Sequence, residues 1–180
     1  IPGQGKIGKV ASVRAGNVIG GGDWSENRLI PDMIKAIYSK SSIDIRSPQS
    51  IRPWQHVLEP LSGYMVVAQH LCKLDSQERP LSWNFGPEEQ DQKNVGSIVD
   101  FFKEEYGDRV DISYPEQKSA QHEANLLFLN IEKAKKELNW RPKLNIDEAL
   151  KNTIDWYESF YNKENMVEVT IRQINQFLEK

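Results

Sequence analysis

Cysteine is almost missing: Cys72 stands alone in 180 residues, so no disulfide forms within the chain. Three histidines, His56, His70 and His122, are scattered without the spacing of a zinc site. No apolar run reaches the roughly 18 residues that a membrane span needs, and no secretory signal pattern is visible. A cytoplasmic protein is the default expectation. Charge of one sign is also missing: 23 basic against 26 acidic residues leave a net charge of -3, which argues against a general nucleic-acid coat. There is no Gly-Lys-Ser/Thr phosphate loop, no nucleophile elbow and no metal cluster. The opening stretch, residues 1–9, lacks an initiator Met and any periodicity, as expected of a sequence that begins part-way through a longer protein.

What remains is the composition of a folded domain, 38% hydrophobic and 27% charged. Strand patterns alternate with helix patterns, which predicts an α/β chain. Val10–Arg14 reads as a buried strand of a parallel sheet. Helical spacing follows at Ile30, Met33, Ile34, Ile37 and Tyr38, with Pro31 at a first helical position. Residues 43–46 and 52–57 read as strands. Pro60 opens a helix with a core face of Leu61, Tyr64, Met65, Ala68, Leu71 and Cys72, which makes Cys72 a buried, inert thiol. A strand over 82–86 precedes a helix capped by Asn94 and stopped by Gly107. Strands are expected at 110–113 and 125–130. Asn130 caps a short helix, and Asn145 caps a longer one with a face of Ile146, Ala149, Leu150, Ile154, Tyr157 and Phe160. A last helix covers about 167–178.

Two motifs are decoys. Gly3-Gln4-Gly5-Lys6-Ile7-Gly8 fits the dinucleotide pattern, but a strand follows it where a helix is required. Tyr114-Pro115-Glu116-Gln117-Lys118 fits the Tyr-x-x-x-Lys pair, but Pro115 disfavours the helix that would put both side chains on one face.

The ordered set "RAGNVIGGGDW", "RLIPDMI", "IRPWQHVLEP", "WNFGP" and "ELNWRPKLNIDEALKNTIDWY" resembles the C-terminal half of the extended short-chain dehydrogenase/reductases, the NAD-dependent epimerase/dehydratase family that acts on nucleotide sugars. "GGGDW" and "RPWQHVLEP" resemble the branch of 4,6-dehydratases that take CDP-glucose. The resemblance implies the last strands of a Rossmann-type sheet plus a smaller substrate-binding domain, the whole of 1–180 being one substrate-binding portion. NAD would be held mainly by an N-terminal half not present in this sequence. The implied chemistry is oxidation of glucose at C4, loss of water across C5–C6 and return of the hydride to C6. Taken alone, the chain is then expected to be inactive and to fold poorly; the longer enzyme is expected to be a homodimer with no nucleic-acid or membrane partner. Another nucleotide-sugar epimerase or dehydratase, or a non-catalytic binding module, are the alternatives.

By the same resemblance the substrate-binding candidates are Asn17, Leu29, Ile30, Arg46, Arg52, His56, His122 and Glu123. Arg52 carries a planar fork suited to a diphosphate. His56 follows it by four residues, on the same face of a continuous strand, or else is a packed core histidine. The glycines after Asn17 let the backbone turn at a strand's carboxyl end, where open α/β sheets bind ligands. Asp23 and Trp24 help shape the pocket or simply pack.

Overall fold

A computed structural model describes residues 8–74, 81–115 and 126–180. The first strand, β1 (Ala11–Ala15), runs almost directly into β2 (Asn17–Ile19). The two have different partners. β1 pairs in parallel with β6 (Leu81–Phe85), Ala11 against Leu81 and Ala15 against Phe85; β2 pairs in parallel with β5 (Trp54–His56), Asn17 against Trp54 and Ile19 against His56. Gly16 is the switch between them. Its N–H bonds the Phe85 carbonyl while the next N–H, of Asn17, bonds the Pro53 carbonyl. A Cβ at Gly16 would stand 2.2 Å from the Pro53 carbonyl oxygen, so the crossing requires glycine.

The other ladders are short. β3 (Ile43–Asp44) pairs in parallel with β8 (Ile112–Ser113), and β4 (Ile51–Arg52) antiparallel with β7 (Lys93–Asn94). The strand expected over 52–57 therefore breaks at Pro53, which has no N–H to give a ladder. The strand expected over 125–130 is reduced to one bridge, Leu126 to Ile51; Asn125 lies outside the described residues.

Six helices cover these ladders among the described residues: α1 (Leu29–Ser39), α2 (Leu58–Lys73), α3 (Val95–Tyr106), α4 (Glu132–Leu138), α5 (Ile146–Tyr161) and α6 (Met166–Glu179). The starts of α3 and α5 follow their sequence signals. Asn94 accepts from the Ser97 N–H, and Asn145 forms a reciprocal capping box with Glu148. Pro31 sits in the first turn of α1, third rather than first, where its missing N–H has no intrahelical partner to lose.

Two apolar clusters result. The larger gathers α1, α3 and α5 around Met33, Ile34, Ile98, Phe102, Leu150 and Ile154. The smaller is Val67, Trp83, Phe85, Ile131, Ala134 and Trp140, between β1, β6, α2 and α4. Here α2 departs in part from its expected face, although Tyr64 and Leu71 pack against the cluster as read. Gly63 and Val67 point inward, while Leu61 (46% exposed), Met65 (59%), Ala68 and Cys72 point outward. Phe85 decides this: a Cβ at Gly63 would stand 2.4 Å from its ring, so the glycine face alone allows the contact. Cys72 is therefore exposed, not buried. β1 is half-buried, and Val10 before it is 70% exposed.

Candidate functional site

β2 ends at Ile19, and the chain reaches α1 through residues 20–28, which carry neither helix nor strand. This path encloses a cavity of about 620 Å³ at the carboxyl end of β2, within the size range of small-molecule sites. Asn17, Gly20, Asp23, Glu26, Arg28 and Leu29 stand on its wall, closed at the sides by Ile30, Pro31 and Trp54. The first turn of α1 opens onto it, where backbone N–H groups lack intrahelical acceptors.

Of the candidates read from the sequence, Asn17, Leu29 and Ile30 come together here. Arg46 lines a different cavity, with Asp44, Lys35 and Pro115. Arg52 is half-buried in β4, and its Nη1 donates to the Ile51 carbonyl at 2.9 Å. His56 is 2% exposed and lies behind the cavity wall: a Cβ at Gly20 would be 3.8 Å from its Nε2. The break at Pro53 removes the continuous strand on which His56 and Arg52 were expected to share a face. His122 and Glu123 lie outside the described residues, as do Gly3, Gly5 and Lys118 of the two decoys. Tyr114 follows β8 outside any helix.

Sequence reasoning missed Glu26, Asn27, Arg28 and Trp54. The signal for the first three was their place just before a helix whose first turn was already suspected.

The wall carries Asp23, Glu26 and Arg28. Burial works to raise the Asp23 pKa, but hydrogen bonds from Ser25 and the charges of Arg28 and Lys35 prevail and hold it below the ordinary carboxylate value. Behind the wall lies a buried polar layer. Burial pushes His56 down to about 4, so it is neutral at pH 7; its Nδ1 accepts from the Leu58 N–H at 3.4 Å. Burial raises the Glu59 pKa, against two backbone N–H bonds, from Lys143 (2.9 Å) and Leu144 (2.7 Å), that favour its charged form. These contacts tie α2 to the start of α5. Among the described residues, His56 Nε2, Glu59 Oε2 and Trp54 Nε1 have no hydrogen-bond partner.

The glycines beside the cavity are filled by protein. A Cβ at Gly20 would stand 2.8 Å from Val57, and one at Gly21 2.0 Å from two Trp156 ring carbons. Only Gly22, at φ +82°, needs glycine for its backbone conformation. The run "GGG" thus serves close packing more than turning, and leaves no cradle for a pyrophosphate.

No protein-family model matches the sequence. The fold is that of the nucleotide-sugar epimerases and dehydratases of the extended short-chain dehydrogenase/reductase type, over about half their length. A UDP-glucose 4-epimerase from Stenotrophomonas maltophila, solved with NAD and formylated UDP-arabinopyranose, matches with a TM-score of 0.71 at 16% identity, over 86% of this chain and 49% of that one. A dTDP-glucose 4,6-dehydratase from Bacillus anthracis, solved with NAD, gives 0.66 at 24% identity, over 83% and 44%. By sequence the chain is similar to the CDP-glucose 4,6-dehydratase of Salmonella typhimurium, 44% identical over 170 residues, which are 94% of this chain and 46% of that protein. The chain thus spans about half the length of the relatives it matches.

Proposed function

We propose that the cavity beside β2 binds the nucleotide sugar CDP-glucose, and that the chain is the substrate-binding portion of an NAD-dependent CDP-glucose 4,6-dehydratase, a lyase. The observation that carries this reading is the meeting of Asn17, Leu29 and Ile30 in one cavity at a strand's carboxyl end, in a chain 44% identical to such an enzyme. Asn17 offers an amide donor, and Leu29 and Ile30 an apolar edge. Arg52 stands outside the cavity lining, one residue before the Pro53 whose carbonyl holds Asn17, and the reading assigns its guanidinium to a diphosphate that extends past the cavity. Holding this remote handle orients the sugar for the chemistry.

Gly20 and Gly21 form no cradle for the NAD pyrophosphate. The glycines that would face a pyrophosphate are packed by Trp156 and Val57, so the proposal leaves the cofactor, and every hydride step, to parts of the enzyme beyond them.

Calorimetric titration of the chain with CDP-glucose tests the reading. Arg52→Ala should weaken binding by about tenfold to over a hundredfold, the loss of a charge-assisted contact. Arg52→Lys should recover only part, because an ammonium lacks the bidentate fork. A folded wild-type chain that ignores CDP-glucose would sink the reading. Unchanged affinity in the Ala variant would remove Arg52 from it.

A further inference from the structure

The wall of the cavity has no secondary structure of its own between Gly20 and Arg28, so something else must set its shape. The C-terminal helices do this. Tyr157 on α5 is fully buried, and its hydroxyl donates to the Asp23 carbonyl. The Trp24 ring meets the Tyr157 ring edge-on at 5.2 Å and leans on Phe160 at 5.0 Å. Trp156 lies against the backbone at Gly21, closer than any Cβ would permit. Trp156 is itself fixed twice, stacked on Phe160 and bonded through Nε1 to Thr170 Oγ1 of α6 at 3.0 Å. On the opposite side the anchor is lighter: Lys35 Nζ donates to the Trp24 carbonyl at 2.8 Å, and the Ser25 N–H to Asp23 Oδ1 at 3.0 Å.

We infer that Tyr157 is a positioning residue for the nucleotide-sugar site: its hydroxyl, backed by Trp156, holds the backbone at Asp23 and so places the wall from Asp23 to Arg28 that the ligand meets. The inference rests on the reading of the cavity as that site. Tyr157 touches no ligand in this account. Its bond uses the Asp23 main chain, which leaves the Asp23 carboxylate to the Ser25 N–H and to the charges of Arg28 and Lys35. Burial first, and then the Asp23 charge, push the phenol up to about 12, so it remains a donor through the neutral range.

The test is Tyr157→Phe, which deletes the hydroxyl and keeps the ring. Hydrogen exchange over residues 20–28, measured without ligand, should quicken about tenfold. CDP-glucose affinity should fall about three- to tenfold, while the melting temperature drops by only about 2–4 °C. A purely structural role would lower the melting temperature and leave the binding of the folded fraction intact. Unchanged exchange overturns the inference, and so does faster exchange with wild-type affinity. If the wild-type chain does not bind CDP-glucose, the functional reading fails, and exchange alone decides the positioning role. If Asn17→Ala loses affinity while Tyr157→Phe keeps it, the site stands and the positioning role falls. Should Tyr157→Phe fail to fold, Thr170→Val loosens Trp156 from behind and should quicken exchange at residues 20–22; no change there overturns the inference equally.

Discussion

The two apolar clusters are unlike in a way that bears on function. Around α1, α3 and α5 the apolar faces close on one another: Met33, Ile34, Phe102, Ile154 and Tyr157 are all buried. Around β1 and α2 they do not. Trp83 and Phe85 are buried, yet the far side of α2 presents Leu61, Met65, Ala68 and Cys72 to solvent, and β1 has a ladder partner on one side only among the described residues. The candidate cavity is built by the closed region, from β2, α1 and the α5 loop contacts. A ligand site that must keep its shape is thereby attached to the part that completes its own core.

Phe102→Ala should cost about 3–5 kcal/mol, as a fully buried aromatic in the closed cluster. Urea unfolding measures this; a loss below about 1 kcal/mol would mean that the closed region is no better packed than the open one.

Acid is the next lever, because His56 sits between the regions. Its folded pKa, about 4, lies below the ordinary value of 6.5. The unfolded chain therefore binds the extra proton first. His56 contributes its stability in full above about pH 6.5 and loses it as pH falls through 4, in total about 3 kcal/mol. Glu59, with a raised pKa, acts in the opposite sense: its share is present below its unfolded value and lost as pH rises. Stability measured from pH 7 to 4 should fall in wild type and flatten in His56→Leu; an equally steep profile in the variant would contradict the assignment.

The smallest effect should come from the outward face of α2. Met65→Gln should change stability by no more than about 0.5 kcal/mol, the ordinary range for an exposed site. Cys72 should react with a thiol reagent in the native chain at nearly the rate of the unfolded one. Strong protection of Cys72 would show that this face is covered in solution.

Much of this was legible in the sequence, for particular reasons. The faces of α1 and most of α5 follow from helical spacing, and Asn94 and Asn145 mark their helices because capping is a local interaction. Asn17, Leu29 and Ile30 line one cavity because a strand end and the next helix start are close in sequence. The face of α2 was legible only in part: Tyr64 and Leu71 pack inward as read, but Leu61, Met65, Ala68 and Cys72 face out, because the inward side was chosen by Phe85, distant in sequence, needing the bare backbone of Gly63. The glycines after β2 misled for the same reason, because Trp156 fills the room they make. Phe160, expected in the core, stands 41% exposed on the aromatic patch with Trp24 and Trp156.

The switch at Gly16 carries a consequence for the order of events in folding. β1 waits for β6 and β2 for β5, and both partners are parallel strands reached only after intervening helices. During synthesis the segment from Ala11 to Ile19 is made before either partner exists. Helices α1 and α2 can form at once from local contacts, whereas β1 stays unpaired until Leu81–Phe85 is made, later than β5, the partner of β2. Non-local parallel pairing of this kind sets a slow pace and leaves an apolar strand unpaired for a time. Asn17 of the cavity wall thus lies on the strand that meets its partner sooner, directly after one that waits longer.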